Sequence, residues 1–240
     1  MSIIDHEYRV CQGQPSTTII VPAFNEAEGL PVVLGDILRV VDGNYEVIVV
    51  DDGSDDGTSN AASGFPCSLI QHEVNKGKGE ALKTGIANAT GENIIWIDAD
   101  GTYPVEVIPQ IVEALRHYDM VVCSRVYGKE NIPRFNRIGN WLFGTMIGTI
   151  YGFKPQDPCA GLYGVKRRHL ENMNLSAQRF AIESEVSIKG SRMKLQMLEI
   201  PIHYGDRIGR AKLNGVKVGF EIMGMILGLL FWQQPDARTG

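Results

Sequence analysis

Asp98 and Asp100 stand two apart at the end of the apolar run 93–97, with Ala99 between them and Gly101 after. Side chains alternate faces along an extended segment, so carboxylates at this spacing share a face and can converge on one hard cation. The same acids can also start a turn and cap a helix beginning near Pro104. Other residues of chemical interest follow a similar pattern. Phe24 and Glu26 lie in the loop 22–26, where a ring and a carboxylate could hold a planar base and a ribose hydroxyl, or where Pro22 merely stops a strand and Asn25 caps a helix. Asp51 and Asp52 follow the run 46–50, which ends at Val50, and carboxylates there can accept bonds from ribose hydroxyls or a base N–H. Asp55, Asp56 and Thr58 read as starters of a short helix.

Further along, Gly77 and Gly79 open a helix among Lys76 and Lys78. Glycines permit close backbone approach and a helix start favours an anion, yet such lysines are often only solvated, and the ending of a Walker loop is missing. Arg125 follows the run 120–123 and suits either an anionic oxygen or an ion pair. Asp157 sits in the Pro/Gly-broken loop 156–161. Glu183 falls in the first turn of a helix, where the macrodipole alone favours an acid. Arg207, Arg210 and Lys212 lie in a Gly-containing loop that can clamp phosphate or stay solvated.

These residues must be placed by strands and helices. Apolar, β-branched runs predict strands over 17–21, 46–50, 68–71, 93–97, 120–123, 162–165 and 195–203. Helical spacing predicts helices over 26–42, from the glycine loop to 89, over 104–117 and from 180 onward. Alternating strands and helices predict one α/β domain, with the candidate residues at the carboxyl ends of the strands, where open parallel sheets bind ligands. The segment 140–151, flanked by Pro133, Arg134 and Arg137, reads as a core or interfacial helix. The apolar stretch 216–232 reads as a helix packed on a partner or lying in a membrane interface.

A chain of 240 residues with 44% hydrophobic content can bury one sizeable core. Its net charge of −5 argues against a general nucleic-acid binder. Cys11, Cys67, Cys123 and Cys159 are too scattered for a zinc site or a disulfide framework, so a reducing cytosol is expected. The start, with Asp5, His6 and Glu7, does not look like a signal peptide.

Pro-Ala-Phe-Asn-Glu, Asp-Asp-Gly-Ser, Asn-x-Gly-x-Gly and Asp-Ala-Asp come in that order at successive strand ends. In this the chain resembles the inverting glycosyltransferases of family 2, and among them the dolichol-phosphate mannose synthase group. The resemblance covers residues 17–213 and implies a GT-A-type, Rossmann-like fold: a mostly parallel sheet flanked by helices, with a catalytic domain over 1–213 and an apolar C-terminal helix and tail over 214–240. It implies that Pro22, Phe24 and Glu26 bind the nucleoside, with Phe24 where Tyr is frequent, and that Asp52 contacts it too. Asp98 and Asp100 would hold Mg²⁺ or Mn²⁺ against the donor diphosphate, with Arg125 and Arg207 near the phosphates. Val50, Lys76, Gly77, Gly79, Ala99 and Lys212 complete the expected nucleotide-facing set. Arg134 or Arg137 is the candidate for an acceptor phosphate. Ala211 departs from the pattern, which has Ser there.

The function this implies is sugar transfer from GDP-mannose or a UDP-sugar to a dolichyl or undecaprenyl phosphate. The expected setting is the cytosolic membrane face, reached through the interface itself or a small membrane subunit, without nucleic acid. A hydroxyl acceptor would instead need a base, with Asp157 the candidate. A nucleotidyltransferase and a non-catalytic nucleotide-sugar sensor are the remaining alternatives.

Overall fold

The computed structural model describes residues 15–41, 43–211 and 215–233. In chain order the elements are β1 (Thr17–Ala23), α1 (Gly29–Val40), β2 (Tyr45–Asp51), α2 (Thr58–Ala62), β3 (Ser68–Gln71), α3 (Lys78–Asn88), β4 (Asn93–Trp96), α4 (Ile108–Ala114), β5 (Met120–Tyr127), α5 (Arg134–Tyr151), β6 (Tyr163–Lys166), α6 (Arg167–Met173), α7 (Ile182–Arg192), β7 (Met197–His203) and α8 (Gly215–Gly228). Short 3₁₀ turns occupy Val105–Val107, Lys129–Asn131 and Leu229–Phe231. The strands form one seven-stranded sheet in the order β3-β2-β1-β4-β6-β5-β7. Only β6 runs antiparallel, to both β4 and β5. The other six strands therefore end on one rim.

Alternation along the strands explains why both faces are covered. Ile20, Ile48, Ile94 and Met120 face one apolar cluster, shared with α3, α5, α6, α7 and α8. Ile19, Val47, Ile95 and Val121 face the other, shared with α1 and α4. A strand buried on both faces reads as a continuous apolar run, as these do. Trp96 and Tyr163 stack across β4 and β6 with centroids 4.9 Å apart.

Several boundaries differ from the sequence expectation. β1 continues through Pro22 to Ala23. Ile20 accepts the N–H of Ile97 on the β4 side, and β4 pairing ends at Trp96. Two residues on, Pro22 faces that same, now open, side, so its missing N–H breaks no ladder bond. The helix expected over 104–117 is a 3₁₀ turn followed by α4, with Pro109 at its start, because proline constrains the residue before it and belongs in a helix's first turn. β5 runs to Tyr127, so Arg125 lies within the strand. α5 starts at Arg134 and is 18 residues long. Among the described residues, no helix is long and apolar enough to cross a membrane.

α8 is part of the fold's core. Ile222, Ile226 and Leu229 are buried in the same cluster as Phe143 and Ile147 of α5.

Candidate active site

Two cations bind four acids on the strand-end rim. Lys78, the first residue of α3, places its Nζ 2.5 Å from Asp98 Oδ1 and 2.5 Å from Glu183 Oε1. Arg207 pairs through Nη1 with Asp100 and through Nη2 with Glu26.

The Lys78 bridge is built by the glycine loop. Gly77 has φ +104°, a conformation that excludes most side chains. A Cβ on Gly77 would lie 2.5 Å from the Gln178 carbonyl oxygen, and one on Gly79 2.4 Å from that of Ala177. The Glu80 N–H donates to the Gln178 oxygen at 3.0 Å. The close approach that the glycines permit is thus to the chain's own lead-in to α7. It sets the start of α3 against Glu183. Gly79→Ala should cost about 1–3 kcal/mol of stability through overpacking, read by chemical denaturation.

Asp52 holds the same loop from beneath. It accepts the N–H groups of Lys76 at 2.9 Å and Gly77 at 2.7 Å, and lies 2.7 Å from His72 Nδ1, whose Nε2 meets Thr84 Oγ1 at 3.0 Å. Asp51 is similarly taken up by the Ser54 N–H at 3.0 Å and by Ser59. Asp56 accepts from the Thr58 N–H at 3.0 Å, as a helix starter should.

The Arg207 bridge is built by the loop after β7. The Gly205 N–H donates to Thr102 oxygen at 2.8 Å and the Ile208 N–H to Asp100 oxygen at 2.9 Å. Asp100 also accepts the Thr102 N–H at 3.1 Å and its hydroxyl at 2.6 Å. Ala99 and Asp100 form a turn, and Gly101 has φ +76°. The two acids are therefore brought together by a turn beyond β4, not by the extended alternation that the spacing suggested.

A third pair lies beside these. Asp157 takes Arg125 Nε at 2.5 Å, Nη2 at 2.7 Å and its backbone N–H at 3.1 Å. The guanidinium also lies 5.3 Å from the Tyr204 ring centroid, and Tyr204 meets Tyr103 edge-on at 5.4 Å. The Gly161 N–H donates to the Tyr103 hydroxyl at 2.5 Å. A Cβ on Gly161 would lie 2.2 Å from Asp98 Oδ2, so only glycine leaves that oxygen its position.

The electrostatics follow from the count of charges. Burial pushes the Asp98 carboxyl up, and Asp100 adds to this against the pull of Lys78. Burial raises Glu183 as well. Burial opposes the Lys78 ammonium, but Asp98 and Glu183 outweigh it and hold its pKa above the ordinary range. Asp157 is the opposite case: burial works against its charge, yet Arg125 holds it below the ordinary carboxylate range.

Of the residues expected from sequence, Glu26, Asp98, Asp100 and Arg207 come together, with Arg125 and Asp157 close by. Phe24 is half-buried on the same rim and Pro22 is buried. Val50 and Ala99 are in the core. Lys76 is exposed. Arg134 and Arg137 border a surface hollow with Ile138 and Trp141. Lys212 lies outside the described residues. Lys78, Glu183 and Gly161 were missed: a lysine beside glycines looks solvated, an acid in a first turn looks like a dipole partner, and Gly161 looks like a loop breaker. Only their joint placement reveals them.

A divalent cation fits this donor set. Four carboxylates share two cationic side chains, an excess of two negative charges, and Asp98 and Asp100 are hard oxygen donors of the type Mg²⁺ or Mn²⁺ takes. Among the described residues no group of three or more His, Cys, Asp or Glu is arranged as a metal cage.

The family model of Glycosyl transferase family 2 matches residues 18–173. The dolichol-phosphate mannosyltransferase of Pyrococcus furiosus is 31% identical over 90% of this chain, which spans 64% of that relative's length. The dolichyl-phosphate hexose transferase of Haloferax volcanii is 29% identical over 87% of this chain and 93% of its own. The undecaprenyl-phosphate mannosyltransferase of Micrococcus luteus is 29% identical over 92% and 98%. Among solved structures, glucosyl-3-phosphoglycerate synthase from Mycobacterium tuberculosis, in complex with Mn²⁺, UDP and phosphoglyceric acid, superposes with a TM-score of 0.73 at 21% identity, covering 94% of this chain and 81% of that one. The fold is accordingly GT-A-like. With its family model spanning most of the sheet and the acids on its rim, the chain belongs to glycosyl transferase family 2 and is a glycosyltransferase.

Proposed function

We propose that the chain transfers a sugar from a nucleotide-diphosphate sugar, GDP-mannose or a UDP-sugar, to a polyprenyl phosphate at the cytosolic face of a membrane. Residues 1–213 form the catalytic part, and 214–240 help dock it. The names of the Pyrococcus, Haloferax and Micrococcus relatives support this acceptor class. The observation that carries it is the surface of α5 and α8. Arg134 and Arg137 stand beside exposed Phe135, Ile138, Trp141 and Leu142, and α8 adds exposed Val216, Phe220 and Leu227, with Leu230 and Phe231 in the 3₁₀ turn just beyond. Cations beside an apolar face suit an anionic headgroup on a hydrocarbon chain. Asn131, just before α5, donates to Tyr204 oxygen at 3.0 Å, which ties this surface to the rim.

The chemistry is a single in-line displacement with inversion at the anomeric carbon. Negative charge grows on the departing nucleoside diphosphate, and preorganised cations stabilise it. A Mg²⁺ or Mn²⁺ ion on Asp98 and Asp100 supplies Lewis-acid stabilisation there when bound. Arg207, on a loop and partly exposed, exchanges its two carboxylates for donor phosphate. Glu26 then contacts the nucleoside, with Phe24 offering its ring to the base. Lys78 stays at Asp98. The lipid phosphate, with a second pKa of about 6, arrives largely ionised and needs no strong base. A hydroxyl acceptor would need one, and Asp157 is held in its ionised form by Arg125, which makes it a weak base.

Screening donors by nucleoside-diphosphate release tests this directly. Release should be confined to few donors and should require both a polyprenyl phosphate and Mg²⁺ or Mn²⁺. Acceptor-independent release across all donors would contradict it. The docking surface has its own test. Because α8 contributes to the core, truncation confounds folding with docking. Phe220→Glu with Phe231→Glu alters only exposed positions. It should weaken binding to anionic vesicles by about tenfold or more while leaving thermal stability unchanged, and unchanged vesicle binding would refute the docking role.

A further inference from the structure

We infer that Glu183 is a positioning residue for sugar transfer: it anchors Lys78 to Asp98 Oδ1 and so leaves Asp98 Oδ2 as the oxygen presented to a divalent ion. This rests on the donor and metal reading above. Three observations carry it. Glu183 is buried at the start of α7, 2.5 Å from Lys78 Nζ. The same Nζ is 2.5 Å from Asp98 Oδ1. Gly161 lies against Oδ2, where a Cβ would intrude to 2.2 Å.

The two rim cations differ in a way that matters. Arg207 is carried by a loop and is 30% exposed, whereas the Lys78 side chain is 12% exposed and is held by a second acid, itself 4% exposed. Lys78 cannot swing away from the rim without leaving two acids unpaired, one of them the buried Glu183, which is costly. Arg207 can exchange partners; Lys78 is fixed. Glu183 also supplies one of the two excess negative charges that favour a divalent cation. Its fixed distance from Lys78 depends on Gly77 and Gly79, which let the α3 start meet residues 177–179.

The test is a pair of titrations on the full-length protein, with GDP and UDP as probes, each with and without Mn²⁺, read by calorimetry. In Glu183→Gln, Lys78 loses one counter-charge and the rim becomes less negative. Mn²⁺ affinity in the presence of the nucleoside diphosphate should fall about tenfold, while nucleoside-diphosphate affinity without metal should rise. A structural defect would lower both. Should Glu183→Gln fail to fold, Glu183→Asp, which keeps the charge but shortens the reach to Lys78 Nζ, carries the test: metal affinity falls while metal-free diphosphate affinity stays unchanged. Affinities that stay unchanged, or that fall together, would overturn the inference. Failure of the unaltered protein to bind any nucleoside diphosphate would overturn the donor reading itself, and this inference with it.

Discussion

Asp100→Asn is expected to lower sugar transfer about 10²–10³-fold while the protein stays folded. The amide keeps an oxygen for the Thr102 N–H and hydroxyl, which Asp100 accepts at 3.1 and 2.6 Å. The turn beyond β4 should therefore survive. What disappears is the charge that pairs with Arg207 and that would help hold a divalent ion against the donor diphosphate. Metal-assisted stabilisation of a leaving phosphate depends on that charge, so the loss should appear in kcat and in the Mn²⁺ concentration needed for half-maximal rate. Circular dichroism and thermal unfolding should change little, since Arg207 keeps Glu26. Steady-state kinetics across Mn²⁺ concentrations check this, and a rate within threefold of the unaltered enzyme would remove Asp100 from the metal site.

The second large effect is on stability. Asp157→Asn should destabilise the fold by about 3–5 kcal/mol, because Arg125 would be left as an uncompensated charge among buried groups. Asp157 is 2% exposed, so solvent cannot replace it. The same pair sets a pH dependence. Arg125 holds the folded Asp157 below its ordinary value of 3.8, so the unfolded chain binds the proton more readily. The stabilisation is therefore fully present above pH 3.8 and is lost as pH falls through the lower, folded value. Urea unfolding from pH 7 to pH 3 should show a falling midpoint in the unaltered protein and a flatter profile in the variant. An Asp157→Asn protein with normal stability but no activity would instead restore Asp157 as a general base, and with it a hydroxyl acceptor.

Much of the fold was legible in the sequence, because strands buried on both faces leave continuous apolar runs whatever lies around them. The run 17–21 falls wholly within β1, which is buried along its whole length. Asp98, Asp100, Glu26 and Arg207 were legible only through the ordered motifs that carry the family resemblance, since each alone reads equally as a turn, cap or solvated residue. What sequence could not yield was partnership. Lys78 and Glu183 are 105 positions apart, and each has a sufficient local explanation until the fold joins them. Gly77 and Gly79 carried the opposite lesson. Their spacing suggested close backbone approach without naming its object, and the fold supplies one that the sequence did not, the backbone of residues 177–179. Arg125 presented the same ambiguity, and its engagement by Asp157 was invisible because that acid comes from a loop 32 residues later.

The proposed acceptor is a polyprenyl phosphate. Incubating the enzyme with the donor selected by the screen, Mn²⁺ and a polyprenyl phosphate in vesicles, then extracting the lipid for mass spectrometry, tests it most directly. The expected product is a lipid heavier by one sugar residue, joined through phosphate with the anomeric configuration inverted from the donor, and formed in an amount equal to the nucleoside diphosphate released. Nucleoside diphosphate release with the lipid mass unchanged, or a product with the donor's configuration retained, would contradict it.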